Sequence, residues 1–158
     1  MADTRQRAEL FAVLRRMEAA TVAMYEAALL HGHEGSQGRL REEHERHVDT
    51  LDDLLGACTP QDVEAPRDVR ESLETHVTAV LDAGDEDEAL ERLLEAERTN
   101  AAEYAVAEGS RLSEAERGAV RRLHEEQRAL VRALEEQLPA DVVARRGVAR
   151  SGHAGGDS

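Results

Sequence analysis

The sequence predicts an all-α protein, on three observations. Apolar residues recur at steps of three and four over long stretches, and no segment shows sustained alternation. Hydrophobic residues make up 41% of the chain, mostly Leu, Val and Ala, with aromatics at 2% and no Ile, which suits helices better than sheets. Helix start and stop signals then divide the chain into long segments.

The first helix is expected over about residues 4–30, ending in the Gly-rich stretch His31-Gly32-His33-Glu34-Gly35. Ser36 can cap a second helix over about 36–55, before Gly56. Pro60 and Pro66 mark a loop. Asp68 with Glu71 resembles a capping box and opens a shorter helix over about 68–83. Asp85 with Glu88 repeats the arrangement for a helix over 86–108, which Gly109 ends. Ser113 with Glu116 is a capping box for the last helix, 113–138, which stops at Leu138-Pro139. These helices belong to one domain, residues 1–146, and the polar, Gly-rich residues 147–158 read as a disordered tail.

Helix length bears on topology. A single helix over 68–108 would span roughly 60 Å, while its partners would span only about 30–40 Å. A break at Gly84-Asp85 is therefore expected. The 68–83 helix, roughly 24 Å long, then returns along the bundle as a long crossover.

Charge excludes several functions. With 34 acidic residues against 20 basic, all of them Arg, the formal charge is −14. That repels nucleic acid and anionic lipid alike. No apolar run approaches the roughly 18 residues of a membrane span. MADTRQRAEL has no signal-peptide core, so a cytoplasmic protein is expected. Cys58 is the lone cysteine and has no internal disulfide partner. GHEGSQG at 32–38 follows a helix and carries no Lys, so it is not a phosphate loop.

The apolar stripes carry polar residues near their middles. The first helix presents Phe11, Leu14, Glu18, Val22, Tyr25 and Leu29. The second presents Leu40, His44, His47, Leu51 and Leu54. The 86–108 helix presents Leu90, Leu93, Glu97, Ala101 and Tyr104. The last presents Val120, His124, Gln127, Val131, Leu134 and Leu138. Burying such groups is costly unless they are paired or liganded, so one shared buried site is the simplest common cause. The halves also resemble a duplication. Glu18 and Tyr25 recur as Glu97 and Tyr104 at an offset of 79, and an offset of 80 aligns His44 with His124.

This pattern resembles the ferritin-like superfamily of four-helix metal carboxylate proteins. It is nearest to the small bacterial ferritin-like domains of unknown function and more distantly similar to rubrerythrin, over about residues 4–138. The resemblance implies a ferritin-like four-helix bundle with a long crossover carrying an extra short helix. It also implies a metal-binding protein of iron or oxidative-stress handling. Glu18 and Glu97 match the family's single-Glu positions, and His47 matches the His of its second-helix motif. His44 and His124 stand where the family has its bridging Glu, and Gln127 stands where it has its second His. With only two seam carboxylates, the resemblance supports the fold more than ferroxidase chemistry.

Glu18, His44, His47, Glu97 and His124 are thus the candidate ligands of a transition metal, Fe, Mn or Zn, mononuclear or dinuclear. Tyr25, Tyr104 and Gln127 are candidates to orient those ligands. The competing reading is a register-setting polar network in a non-enzymatic bundle that acts by self-association or protein partners. Other registers also stay open, with Glu43 beside His47, or Glu95 or Glu103 in place of Glu97. His31 and His33 read as solvated loop residues, and His76 as a core or boundary histidine. Besides a metal ion, the expected partners exclude nucleic acid and membrane and include a second copy of the chain.

Overall fold

The computed structural model describes residues 4–31, 37–58, 63–140 and 143. The expectations for Ser36, for His33 and for the 147–158 tail lie outside the described residues. Five helices account for most of the rest, with no strand among the described residues: α1 (Thr4–Leu29), α2 (Gln37–Gly56), α3 (Arg67–Leu81), α4 (Glu86–Glu108) and α5 (Glu114–Gln137).

The helix ends follow their local chemistry with one exception. The Ser113 hydroxyl accepts from the Glu116 amide at 3.1 Å, and the Glu116 carboxylate accepts from the Ser113 amide at 2.8 Å, a complete capping box. Asp85 caps α4 by accepting from the Glu88 amide at 2.8 Å, while Glu88 reaches one residue further back, to the Gly84 amide. The exception is α3. It starts at Arg67 after Pro66, without a side-chain cap, so Asp68 lies inside the first turn. Glu71 is drawn instead into an exposed pair with Arg67 at 2.8 Å. The expected break between α3 and α4 is present, at residues 82–85.

Helix α1 packs against α2, α3 and α4, and α5 packs against α4 and more loosely against α2. Helix α3 touches α1 and α4 and buries only Val80 fully. Val69, Leu73 and Val77 are partly buried beneath it, while His76 is exposed rather than core. The end of α3 is tied down by His31, whose Nε2–H donates to the carbonyls of Val80 at 3.0 Å and Leu81 at 3.2 Å. The Val80 carbonyl also accepts from the Ala83 amide at 3.2 Å, so the last turn is held from two sides. His31 is therefore a terminal clamp rather than a solvated loop residue.

The core comes in two apolar clusters. One gathers Met24, Leu40, Val80, Leu90, Leu93, Leu94 and Leu134. The other gathers Phe11, Leu14, Met17, Leu51, Cys58, Val120 and Leu123. Between them lies a layer of buried polar side chains: Glu18, Thr21, His44, His47, Glu97, Asn100 and Gln127. Among the described residues, no helix is long and apolar enough to cross a membrane.

Candidate metal centre

The layer is set by the pairing of α1 with α4. Glu18 lies against Tyr104, Thr21 against Asn100, and Tyr25 against Glu97. Residue numbers rise on one helix as they fall on the other, so the two helices run antiparallel. The tyrosines cross over. Tyr25 of α1 donates to Glu97 Oε2 of α4 at 2.5 Å, and Tyr104 of α4 donates to Glu18 Oε2 of α1. Burial and the facing carboxylates push both phenols well above their ordinary range, which keeps them protonated donors. Between the tyrosine contacts, Asn100 Nδ2 donates to Thr21 Oγ1 at 2.8 Å, and that hydroxyl donates to the Met17 carbonyl at 2.9 Å.

Helix α2 brings both imidazoles to Glu18. His44 Nδ1 bonds Glu18 Oε1, and His47 Nδ1 bonds Glu18 Oε2 at 2.9 Å. Their other nitrogens meet separate carboxylates. His44 Nε2 faces Glu97 Oε2 at 2.8 Å, and His47 Nε2 faces Glu126 Oε1 at 3.0 Å. All four contacts are to carboxylates, so each ring donates from both nitrogens and is an imidazolium. The two cations balance the buried Glu18 and Glu97.

These pairings decide the ionisation. Burial alone would raise the Glu18 carboxyl, but His44 and His47 outweigh it and hold it at about 2. Burial likewise disfavours the charged His44 ring, yet Glu97 and Glu18 raise it to about 10. His47 is raised in the same way, chiefly through its hydrogen bond to Glu18 against the cost of burial.

Helix α5 supplies Gln127, whose Nε2 donates to Glu97 Oε1 at 2.6 Å and to the Glu97 carbonyl at 2.9 Å. Both neighbours are acceptors only, which fixes the amide orientation. Gln127 Oε1 is left buried without a hydrogen-bond partner.

Seven of the eight sequence candidates converge here: Glu18, His44, His47, Glu97, Tyr25, Tyr104 and Gln127. His124 does not. It is partly exposed, and its Nδ1 faces Glu108 at 3.3 Å. The reason is register. The buried residues of α5 are Val120, Leu123, Gln127, Leu130 and Leu134, so Leu123 takes the inward place expected for His124. The buried set of α2 is Gln37, Leu40, His44, His47 and Leu51. It matches the α5 set one for one at an offset of 83 rather than 80. Gln127 is therefore the counterpart of His44, and Leu130 that of His47.

Sequence reasoning missed Glu126, Thr21 and Asn100. Thr21 and Asn100 share the 79-residue offset of the Glu and Tyr pairs, a signal that was present. Glu126 sits beside the inward face and had no such signal. Glu43, Glu95 and Glu103, the competitors in register, do not enter the layer.

Glu18, His44 and His47 form a buried group that can hold a metal ion, with one ligand atom from each lying within 4.8 Å of the others. No protein-family model matches the chain, and neither a curated protein nor a solved structure does.

Proposed function

We propose that the protein is a metal-binding helical bundle of the ferritin-like kind, serving iron or oxidative-stress handling through one mononuclear centre. The ligands are Glu18, His44 and His47. One observation carries the reading. Each imidazole turns Nδ1 to the same carboxylate and Nε2 to a carboxylate of its own, Glu97 or Glu126. A metal-ligating histidine characteristically donates its second N–H to a carboxylate, which fixes the ring and raises its basicity.

Charge supports the same reading. The two Nδ1 protons are the positive charge that Glu18 faces. A divalent cation in their place leaves the total charge of the layer unchanged, while each Nε2–H stays on its carboxylate. Two imidazoles and a carboxylate with further positions open suit Fe(II), Mn(II) or Zn(II). A bound ion of this class supplies Lewis acidity and, for iron or manganese, a change of oxidation state. The chain's residues orient the ligands, as Tyr104 does for Glu18, and keep the layer between two apolar clusters. The ferritin-like arrangement is supported by α3, which leaves α2, lies against α1 and α4, and leads into α4. A single centre is supported by Gln127 and Leu130, which leave Glu97 without histidine partners on its own side.

A second reading has an observation of its own. His44 already bridges Glu18 and Glu97, so the layer is a continuous hydrogen-bonded network without any metal ion. Such a network would fix helix register in a non-enzymatic bundle.

Elemental mass spectrometry on protein purified without a metal-affinity tag decides between them, with and without added Fe(II), Mn(II) and Zn(II). The expected result is one tightly held ion per chain and release of about two protons per ion in weakly buffered solution. The Glu18→Ala, His47→Ala double variant should lose the ion, and His124→Ala should keep it. Absence of stoichiometric metal, with no thermal shift on addition, would leave the polar network as the function of the layer.

A further inference from the structure

The buried centre needs a way in, and the structure offers one polar route. Of the groups bonded to Glu18, His44, His47 or Glu97, only Glu126 reaches water among the described residues. Its side chain is 46% exposed, whereas that of His47 is 1% exposed. Glu97, Tyr25, Tyr104 and Gln127 are all fully buried. Glu126 therefore has one end in solvent and the other at 3.0 Å from His47 Nε2. The ring of His47 continues the line to Glu18 Oε2 at 2.9 Å from Nδ1.

The surrounding packing favours the same route. Within the ring formed by α1, α2, α5 and α4, the α2–α5 pair is the loosest. Long polar side chains span it: His47 meets Glu126, and Gln37 Nε2 donates to Gln137 Oε1 at 2.9 Å. Side-chain rotation can open such a seam, while parting α1 from α2 or α4 would disrupt apolar packing. On the opposite side, a pocket of about 340 Å³ lies beneath α3, but its floor is Met17, Met24, Ala96 and Asn100 rather than any ligand. A hydrated cation entering there would meet the exposed Asp68, His76 and Glu103 and then thioethers and Asn100, none of which is bonded to Glu18, His44, His47 or Glu97. At the α2–α5 seam it meets a carboxylate that is itself bonded to His47.

We infer that Glu126 is the entry carboxylate of the centre: it takes a divalent cation from solvent and passes it, through rotation of His47, to Glu18. The inference rests on the metal-binding reading above. Its chemistry is ligand exchange. The Glu126 carboxylate replaces a water of the aquo ion, and the His47 nitrogen then replaces Glu126. No electron is transferred, and the imidazole protons leave to solvent by the same path.

Stopped-flow binding of Co(II), followed by its visible absorption, tests this on the full chain. Wild type is compared with Glu126→Gln, and with Glu125→Gln as an exposed neighbour of equal charge. Uptake by Glu126→Gln should slow about tenfold, within the range that local charge changes association. Release into excess chelator should slow with it, since one door serves both directions. Glu125→Gln should bind and release like wild type. Unchanged uptake with faster release would make Glu126 only an orienting partner of His47 and overturn the inference. Equal slowing by Glu125→Gln would reduce it to general charge attraction and overturn it too. Absence of any Co(II) absorption in the wild type would instead refute the metal-binding reading itself.

Discussion

The α1–α2 half places His44 and His47 where the α4–α5 half places Gln127 and Leu130, on helices whose buried positions otherwise correspond. The two glutamates and two tyrosines are the same in both. Gln127 even repeats the hydrogen bond, donating to Glu97 Oε1 as His44 donates to Glu18 Oε1. The difference is one of charge. An amide donates without a positive charge and offers only a weak oxygen ligand, and a leucine offers none. Glu97 then depends on His44, from the other half, for its counter-charge. One side of the layer thus carries the group that could hold a cation, and the other side does not.

Giving the second half the ligands of the first should have the largest effect. Gln127→His with Leu130→His would set two imidazoles beside Glu97, in the positions that His44 and His47 hold beside Glu18. Metal content by elemental analysis should rise by a second ion per chain. Unchanged content in a folded variant would mean that the two halves differ in more than their ligands.

Next in size is the response of the metal-free protein to pH. The folded protein raises His44 to about 10, from an ordinary value of 6.5. The stability this contributes is fully present below about pH 6.5 and is lost as pH rises through about 10. Glu18 is lowered to about 2, from 4.5. Its contribution is present above about pH 4.5 and is lost as pH falls through about 2. Thermal unfolding should therefore show a maximum between these limits, with Tm falling on both sides. His44→Gln, which makes the first half resemble the second, should flatten the alkaline slope. An alkaline slope as steep as wild type in that variant would assign the effect to other groups.

The smallest effect separates the tyrosines. Tyr104→Phe and Tyr25→Phe each remove one hydrogen bond to a buried carboxylate and should each cost about 1.5–3 kcal/mol in denaturant unfolding. Only Tyr104→Phe should also weaken metal binding, because Tyr104 bonds Glu18 whereas Tyr25 bonds Glu97. Equal losses of affinity would show that the cation depends on both halves alike.

The helices were legible because their signals are local. Ser113 with Glu116, Asp85 with Glu88, and the break at Gly84 each act within a turn or two of chain. Most of the buried polar layer was legible because a charged residue inside an apolar stripe is conspicuous: Glu18, Glu97, His44 and His47 stand out in this way. His124 was misplaced because α5 offers two stripes that differ at one position, 120–124–127 and 120–123–127, and periodicity alone cannot choose. Packing chooses Leu123, since a leucine gains more from the Phe11 and Leu51 cluster than a histidine would. Glu126 was illegible for a different reason. A residue half in water has the pattern of any surface glutamate, and its contact with His47 exists only once α2 and α5 are side by side. The uncapped start of α3 was hidden because Arg67 outcompetes the capping role expected of Glu71.

The crossed tyrosines have a spectroscopic consequence. The chain contains no Trp, and Tyr25 and Tyr104 are its only two Tyr residues. Both phenols are buried and held on the carboxylates of the polar layer. A phenol hydrogen-bonded to a carboxylate emits weakly, because the excited state loses its proton to the acceptor. The ultraviolet emission of the unlabelled protein is therefore expected to be weak while both bonds hold and to brighten when either is released. Unfolding, which releases both bonds, would be read from the same pair of chromophores without an introduced probe.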